Sequence, residues 1–191
     1  MFIQTEQTPN PFTLKFLPGR IVMEEGTAFF QSESECVASP LARQLFSIEG
    51  VTGVFFGSDF ITITKEENFD WQILKPMILG IIMDHYNSGG EVLIKNQSNI
   101  NSDNSGLPEF KQEDNEIVKQ IKELLDTRVR PAVAMDGGDI VFQSYKEGTV
   151  YLHMQGACSG CPSSTATLKM GIENMLKHYV PEVKEVKPVD V

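Results

Sequence analysis

Positive charge is scarce in this sequence: 16 Lys and Arg stand against 26 Asp and Glu, a formal net charge of −10. No Lys/Arg cluster supplies the basic face that a polyphosphate partner requires, which argues against DNA or RNA binding. The start, from Met1 to Glu6, has no basic or apolar leader and no Arg-rich amphipathic pattern. Apolar runs are short; Ile78–Met83 is interrupted by Gly80 and falls far below the roughly 20 residues that cross a bilayer. A soluble, cytoplasmic protein is expected, with no membrane contact. A mature protein of the mitochondrial matrix, its presequence removed, would look the same. Cysteine is sparse and odd in number: Cys36, Cys158 and Cys161. Such a set is no disulfide framework, and in a reducing compartment it leaves thiols for metal or redox chemistry.

Composition breaks once along the chain. Asn96–Gly106 is almost wholly small and polar, with Pro108 just beyond. Too little apolar surface is present there to offset the entropy of ordering it. The expected organisation is therefore two small α+β domains, 1–95 and 112–191, joined by a flexible polar linker over 96–111. Neither domain repeats the other.

In the first domain, Phe12–Leu17 alternates as a strand should and stops at Pro18-Gly19. Pro40–Ser47 reads as a helix capped by Ser39, with Leu41 and Leu45 on one face. Val54–Phe56 and Phe60–Thr64 read as a hairpin. A helix is expected from about Asp70 to Tyr86, kinked or restarted near Pro76. Glu91–Lys95 reads as a closing strand. Trp71 and the Phe pairs at 29–30 and 55–56 are expected in the core, and Cys36 as a small, partly buried hydrophobe.

In the second domain, Ile117, Ile121, Leu124, Leu125 and Val129 lie at helical spacing behind acidic Glu113, Asp114 and Glu116. Pro131 should end or bend that helix. Strands are expected over 140–145 and 149–154. A helix follows over 162–178, with Leu168, Ile172, Met175, Leu176 and Tyr179 inward, and then an edge strand over 183–186. Asp136-Gly137-Gly138-Asp139 reads as a turn needing positive φ rather than a ligand loop.

The chemistry concentrates in Gly156-Ala157-Cys158-Ser159-Gly160-Cys161-Pro162. Two sulfurs three positions apart can face one metal centre if the loop curls, and the flanking glycines permit the curl. Pro162 suits the first turn of a helix. A helix N-terminus contributes roughly 0.3–1 kcal/mol to thiolate, less than about one pKa unit, so it primes the pair without ionising it. Iron–sulfur clusters commonly take four thiolates. One chain offers this pair, with Cys36 in the other domain; two chains offer four equivalent sulfurs at a two-fold interface. Zinc held by the same thiolates, or with His153, remains open, as does a thiol–disulfide redox centre or an inert thiol pair. His153 reads as a partly exposed strand residue. Against the redox reading, a thioredoxin-like pair opens a helix after a parallel strand, whereas a hairpin is expected here.

Longer patterns narrow the choice. Arg130-Pro131-x4-Asp136-Gly137-Gly138-Asp139-Ile140, the Gly156–Ser164 stretch and Thr167-Leu168-Lys169-x-Gly171-Ile172-Glu173 resemble the C-terminal domain of NifU and the Nfu-type scaffolds. Thr8-Pro9-Asn10-Pro11 and Phe46-x3-Gly50-Val51 resemble the domain that precedes it in Nfu proteins. The resemblance implies a non-enzymatic carrier that binds an iron–sulfur cluster, usually [4Fe–4S] and alternatively [2Fe–2S], through Cys158 and Cys161. It implies a homodimer when loaded, upstream cluster donors, and apo-enzymes as clients.

Overall fold

The computed structural model describes residues 2–94, 112–159 and 162–189, with side chains from 116 and 166 onward in the second and third stretches. The expected linker over 96–111 lies outside them, as do Lys95 and Cys161.

The first domain is an antiparallel sheet with helices on one face. Its strands are β1 (Gln4–Gln7), β2 (Thr13–Leu17), β3 (Ala28–Phe30), β4 (Val51–Phe56) and β5 (Ile61–Lys65), in the order β1-β2-β5-β4-β3. Period-two alternation sends Leu14, Phe16, Val54, Phe56, Ile61 and Ile63 to one face, where they form the core with α1 (Pro40–Phe46) and α2 (Trp71–Asn87). Ser39 caps α1 as expected, accepting from the Ala42 N–H at 3.1 Å. Asp70 caps α2 in the same way, through the Gln72 N–H.

One expectation fails in part here and another outright. Helix α2 runs through Pro76 without restarting. Pro76 lies on the exposed side of the helix, as does Gln72, whose carbonyl loses the proline's missing N–H and is within reach of water. Glu91–Ile94 is not a strand; instead its backbone pins the region before α1, with Ile94 N–H donating to Ala38 O and Ser39 Oγ to Val92 O. The edge positions of the sheet are held by β1 and β3, which the sequence reading missed. Trp71 is half-buried against the core, and Cys36, in a 3-10 segment over Glu33–Ala38, is fully buried within it.

In the second domain, α3 (Gln112–Leu124) widens into a π turn over Leu125–Val129 and continues as α4 (Arg130–Met135). Pro131 thus neither ends nor clearly breaks the helical run, because it stands in the first turn of a new segment where its missing N–H costs little. Strands β6 (Gly138–Lys146) and β7 (Thr149–Gly156) form a hairpin, and α5 (Pro162–Tyr179) leads to β8 (Glu185–Val189). The sheet order is β6-β7-β8, with β8 parallel to β7. Ile172 and Leu176 face the core, Leu168 and Met175 border it, and Tyr179 is exposed; Val180 takes the inward place expected for Tyr179.

Candidate functional site

Cys158 lies in the turn after β7, among the residues leading to α5. Its neighbourhood is shaped by two glycines that admit no side chain. Gly156 has φ +62°, a backbone that favours glycine. A methyl at Gly138 would stand 2.5 Å from Cys158 Sγ and 2.7 Å from Gln155 O. Gly138 therefore serves as a flat wall beside the sulfur, a role beyond the turn geometry read from sequence; the positive φ belongs to Gly137, at +83°.

The adjoining Asp139 is 3% exposed. Arg130 grips it in bidentate fashion, Nε to Oδ1 at 2.8 Å and Nη2 to Oδ2 at 2.7 Å. The Ile140 N–H also donates to it. Those hydrogen bonds, with a further one to Asp126, hold the guanidinium proton more firmly than usual. The pair ties the start of α4 to the start of β6, on which Gly138 stands. Sequence reasoning missed it, since nothing in a nine-residue separation identifies partners across a helix and a turn.

Cys158 is only 6% exposed, and burial pushes its thiol up to about 12, with Asp136 and Asp139 adding to the effect. For Cys158 this runs against the expectation that the helix N-terminus primes the pair toward thiolate; Cys161, which carried that expectation, lies outside the described residues. A buried thiol near carboxylates is the opposite of the electropositive, accessible setting of a reactive cysteine. A second correction runs the other way. The parallel pairing of β7 with β8 across α5 makes the cysteine turn part of a β-α-β unit, the context thought to be lacking for a redox pair.

Cys158 is part of the second domain's own core, and the first domain closes over its turn. The second face of its sheet carries Thr13, Lys15, Phe55 and Thr62, all buried although none belongs to that domain's apolar core. Thr62 Oγ1 donates to Gly137 O at 2.7 Å. Lys15 Nζ donates to Ala134 O and Met135 O, at the C-terminal end of α4 where a cation is favoured. Asn10 Nδ2 reaches Ala157 O at 3.4 Å and Ser159 O at 3.2 Å, on either side of Cys158. Thr27 Oγ1 donates to Asp139 Oδ2, and the Phe55 ring would stand 2.9 Å from a methyl at Gly156.

The other candidates fall elsewhere. Cys36 belongs to the first domain's core, where its Sγ donates to Ser32 O and burial, with Glu35 and Glu33, pushes its thiol up to about 11. His153 is buried rather than partly exposed, its ring packed under β8 with Nδ1 3.2 Å from Val189 O. Among the described residues no group of three His, Cys, Asp or Glu gathers in metal-binding geometry. Also among the described residues, no helix is long and apolar enough to cross a membrane.

Comparison with known proteins matches both halves. Residues 3–89 match the model for the scaffold protein Nfu/NifU N-terminal domain, and residues 121–187 the NifU-like domain. The chain is 53% identical over 99% of its length to a Drosophila persimilis protein named "NFU1 iron-sulfur cluster scaffold homolog, mitochondrial". It is 52% identical over 98% of its length to "NifU-like protein 4, mitochondrial" of Arabidopsis thaliana. It spans 65% of the length of each of these relatives. A solution structure of a NifU-like protein from Saccharomyces cerevisiae is 29% identical, covering 50% of this chain and 87% of that one, with a TM-score of 0.46.

Proposed function

The chain belongs to the Nfu/NifU scaffold family, and from that premise we propose that it carries iron–sulfur clusters and passes them to apo-proteins. The observation that supports this most is the placing of Cys158 in the turn between β7 and α5, within the stretch that matches the NifU-like domain. The cargo is a [4Fe–4S] cluster, with [2Fe–2S] as the alternative form. Cys158 and Cys161 of each of two chains supply its four thiolates at a dimer interface.

The chain itself turns over no substrate. Cluster formation stabilises the dimer, because whatever binds only the dimer shifts association toward it. A client offering its own thiolates then displaces the carrier's sulfurs by ligand exchange. The domains divide the labour over 1–95 and 112–191, the second holding the cluster and the first serving recognition. A reducing compartment, the mitochondrial matrix or a bacterial cytoplasm, suits such a thiol site.

Anaerobic loading with iron and sulfide, followed by Mössbauer spectroscopy, tests the reading. A cluster spectrum, and recovery of activity when loaded protein is mixed with an apo-dehydratase that needs a [4Fe–4S] cluster, are expected. Absence of bound iron and sulfide in protein handled without oxygen would contradict it. The β7-α5-β8 connection favours one second reading, a thiol–disulfide oxidoreductase using the same pair. Dithiol-dependent reduction of a protein disulfide, with no cluster formed, would select that alternative.

A further inference from the structure

Antiparallel sheets covered by helices on one side commonly leave the other side to water. In the first domain the far side is instead buried, and what covers it is the cysteine turn together with the end of α4 and the Gly137-Gly138 turn beside it. Phe55 is 1% exposed on that far side, where its ring packs on Phe29 and Phe60 of its own domain and, across the domain boundary, stands against Gly156. Around it, Thr62, Lys15 and Asn10 each end on a backbone carbonyl of the second domain. Carbonyls near a glycine pair, a helix end and a cysteine turn are thus met by matched donors and one aromatic ring. This is a built recognition surface with an occupant seated on it.

We propose that this face of the first domain is a receptor for the chain's own cysteine turn, and that it caps Cys158 in the cluster-free protein. The inference rests on the carrier reading above. A cluster shared by two chains needs the Cys158 sulfur at a surface that a second chain can reach, yet in this arrangement Cys158 is 6% exposed and Asn10 binds the carbonyls on both sides of it. Closed capping and shared ligation therefore exclude each other. Loading displaces the first domain and uncovers Phe55, Thr62 and Lys15, so the face is offered to other proteins only when cargo is aboard. The contact suits such release: its donors are ordinary surface-type side chains ending on carbonyls that water can satisfy, and interfaces between domains of one chain are typically of this separable kind.

Brief alkylation of the full-length, cluster-free chain with iodoacetamide, read at each cysteine by mass spectrometry, tests the cap. Cys36, buried by its own domain, is the internal reference for intact folding. In Phe55→Ala, Asn10→Ala and Thr62→Val, Cys158 should be labelled about tenfold faster than in the unmodified chain, with Cys36 unchanged. For Thr62→Val that is the order expected when an opening equilibrium loses roughly one hydrogen bond's net contribution, and the loss of two bonds at Asn10 or of a buried ring at Phe55 should be no smaller. A variant in which Cys36 also becomes reactive has lost its fold, and the other two then decide. Equal Cys158 labelling in folded variants and unmodified chain overturns the cap. Loading the same proteins with iron and sulfide separates this failure from that of the carrier reading. Cluster uptake with unchanged labelling sinks the cap alone; no uptake in any protein sinks the carrier reading, while labelling still decides the cap. Faster uptake by Thr62→Val, reaching the same final occupancy, is the result that supports both.

Discussion

Cys36 and Cys158 are buried almost equally, at 0% and 6% exposure, but by different means. Cys36 is enclosed by the core of its own domain, among Phe30, Leu41 and other apolar side chains. Cys158 shares a core with its own domain too, yet its turn is also roofed by another domain through hydrogen bonds to carbonyls. Burial by one's own core can be undone only by unfolding. Burial by a neighbouring domain can be undone by moving that domain, at far smaller cost. On the proposed function, the same solvent exposure therefore marks an inert thiol in one place and a ligand held in reserve in the other.

Replacing each sulfur puts this contrast under the greatest strain. Cys158→Ser should abolish stable cluster binding, since two of four thiolates per site disappear; Cys161→Ser should do the same. Cys36→Ser should leave iron and sulfide content nearly unchanged while lowering thermal stability, because a hydroxyl enters an apolar core. Equal loss of cluster in all three would show that Cys36 is a ligand. Arg130→Leu should come next, destabilising the second domain by about 3 kcal/mol, since it leaves the Asp139 carboxylate buried without its guanidinium; urea unfolding measures it.

Gly138→Ala probes the setting of the second sulfur more finely. The added methyl meets Cys158 Sγ and Gln155 O, so the turn must move; about 1–3 kcal/mol of stability should be lost, with a parallel loss of cluster affinity read by titration. A pH dependence confined to the first domain is weaker still. His85 Nε2 is buried without a hydrogen-bond partner among the described residues, and burial lowers the ring's pKa against the opposing influence of the Gly90 and Glu91 backbone. The unfolded chain then binds the extra proton more readily. Stability is complete above the unfolded value of about 6.5 and declines as pH falls below it toward the lower folded value. Melting curves on the acid side of that value should shift down, and His85→Gln should flatten the shift.

How much of this was legible beforehand follows from what each feature depends on. Ser39-Pro40 announces α1 because capping is local, and the β4–β5 hairpin follows from alternation around Gly57. The strand β1 was invisible because three of its four residues are exposed, and β3 because three residues carry no period. Glu91–Ile94 has strand-like composition, but the sheet's edge positions are held by β1 and β3. At the candidate site, the place of Cys158 in a turn before a helix was legible from Gly156, Gly160 and Pro162. Its raised pKa was not, since it follows from burial in the folded chain and from Asp136 and Asp139, which lie on another part of the domain's chain. Thr13, Lys15 and Thr62 look like the solvent side of an alternating pattern, and only tertiary structure shows that a second domain stands in place of water.

Shared ligation by two chains is put at greatest risk by sedimentation velocity on the full-length chain, before and after anaerobic loading, with iron and sulfide counted in the same samples. Loading should convert the cluster-free chain into a dimer holding one cluster per two chains, and removing the cluster with a chelator should reverse the change. A loaded monomer with a whole cluster would contradict this, because a single chain's Cys158 and Cys161 would then be ligating without a second pair.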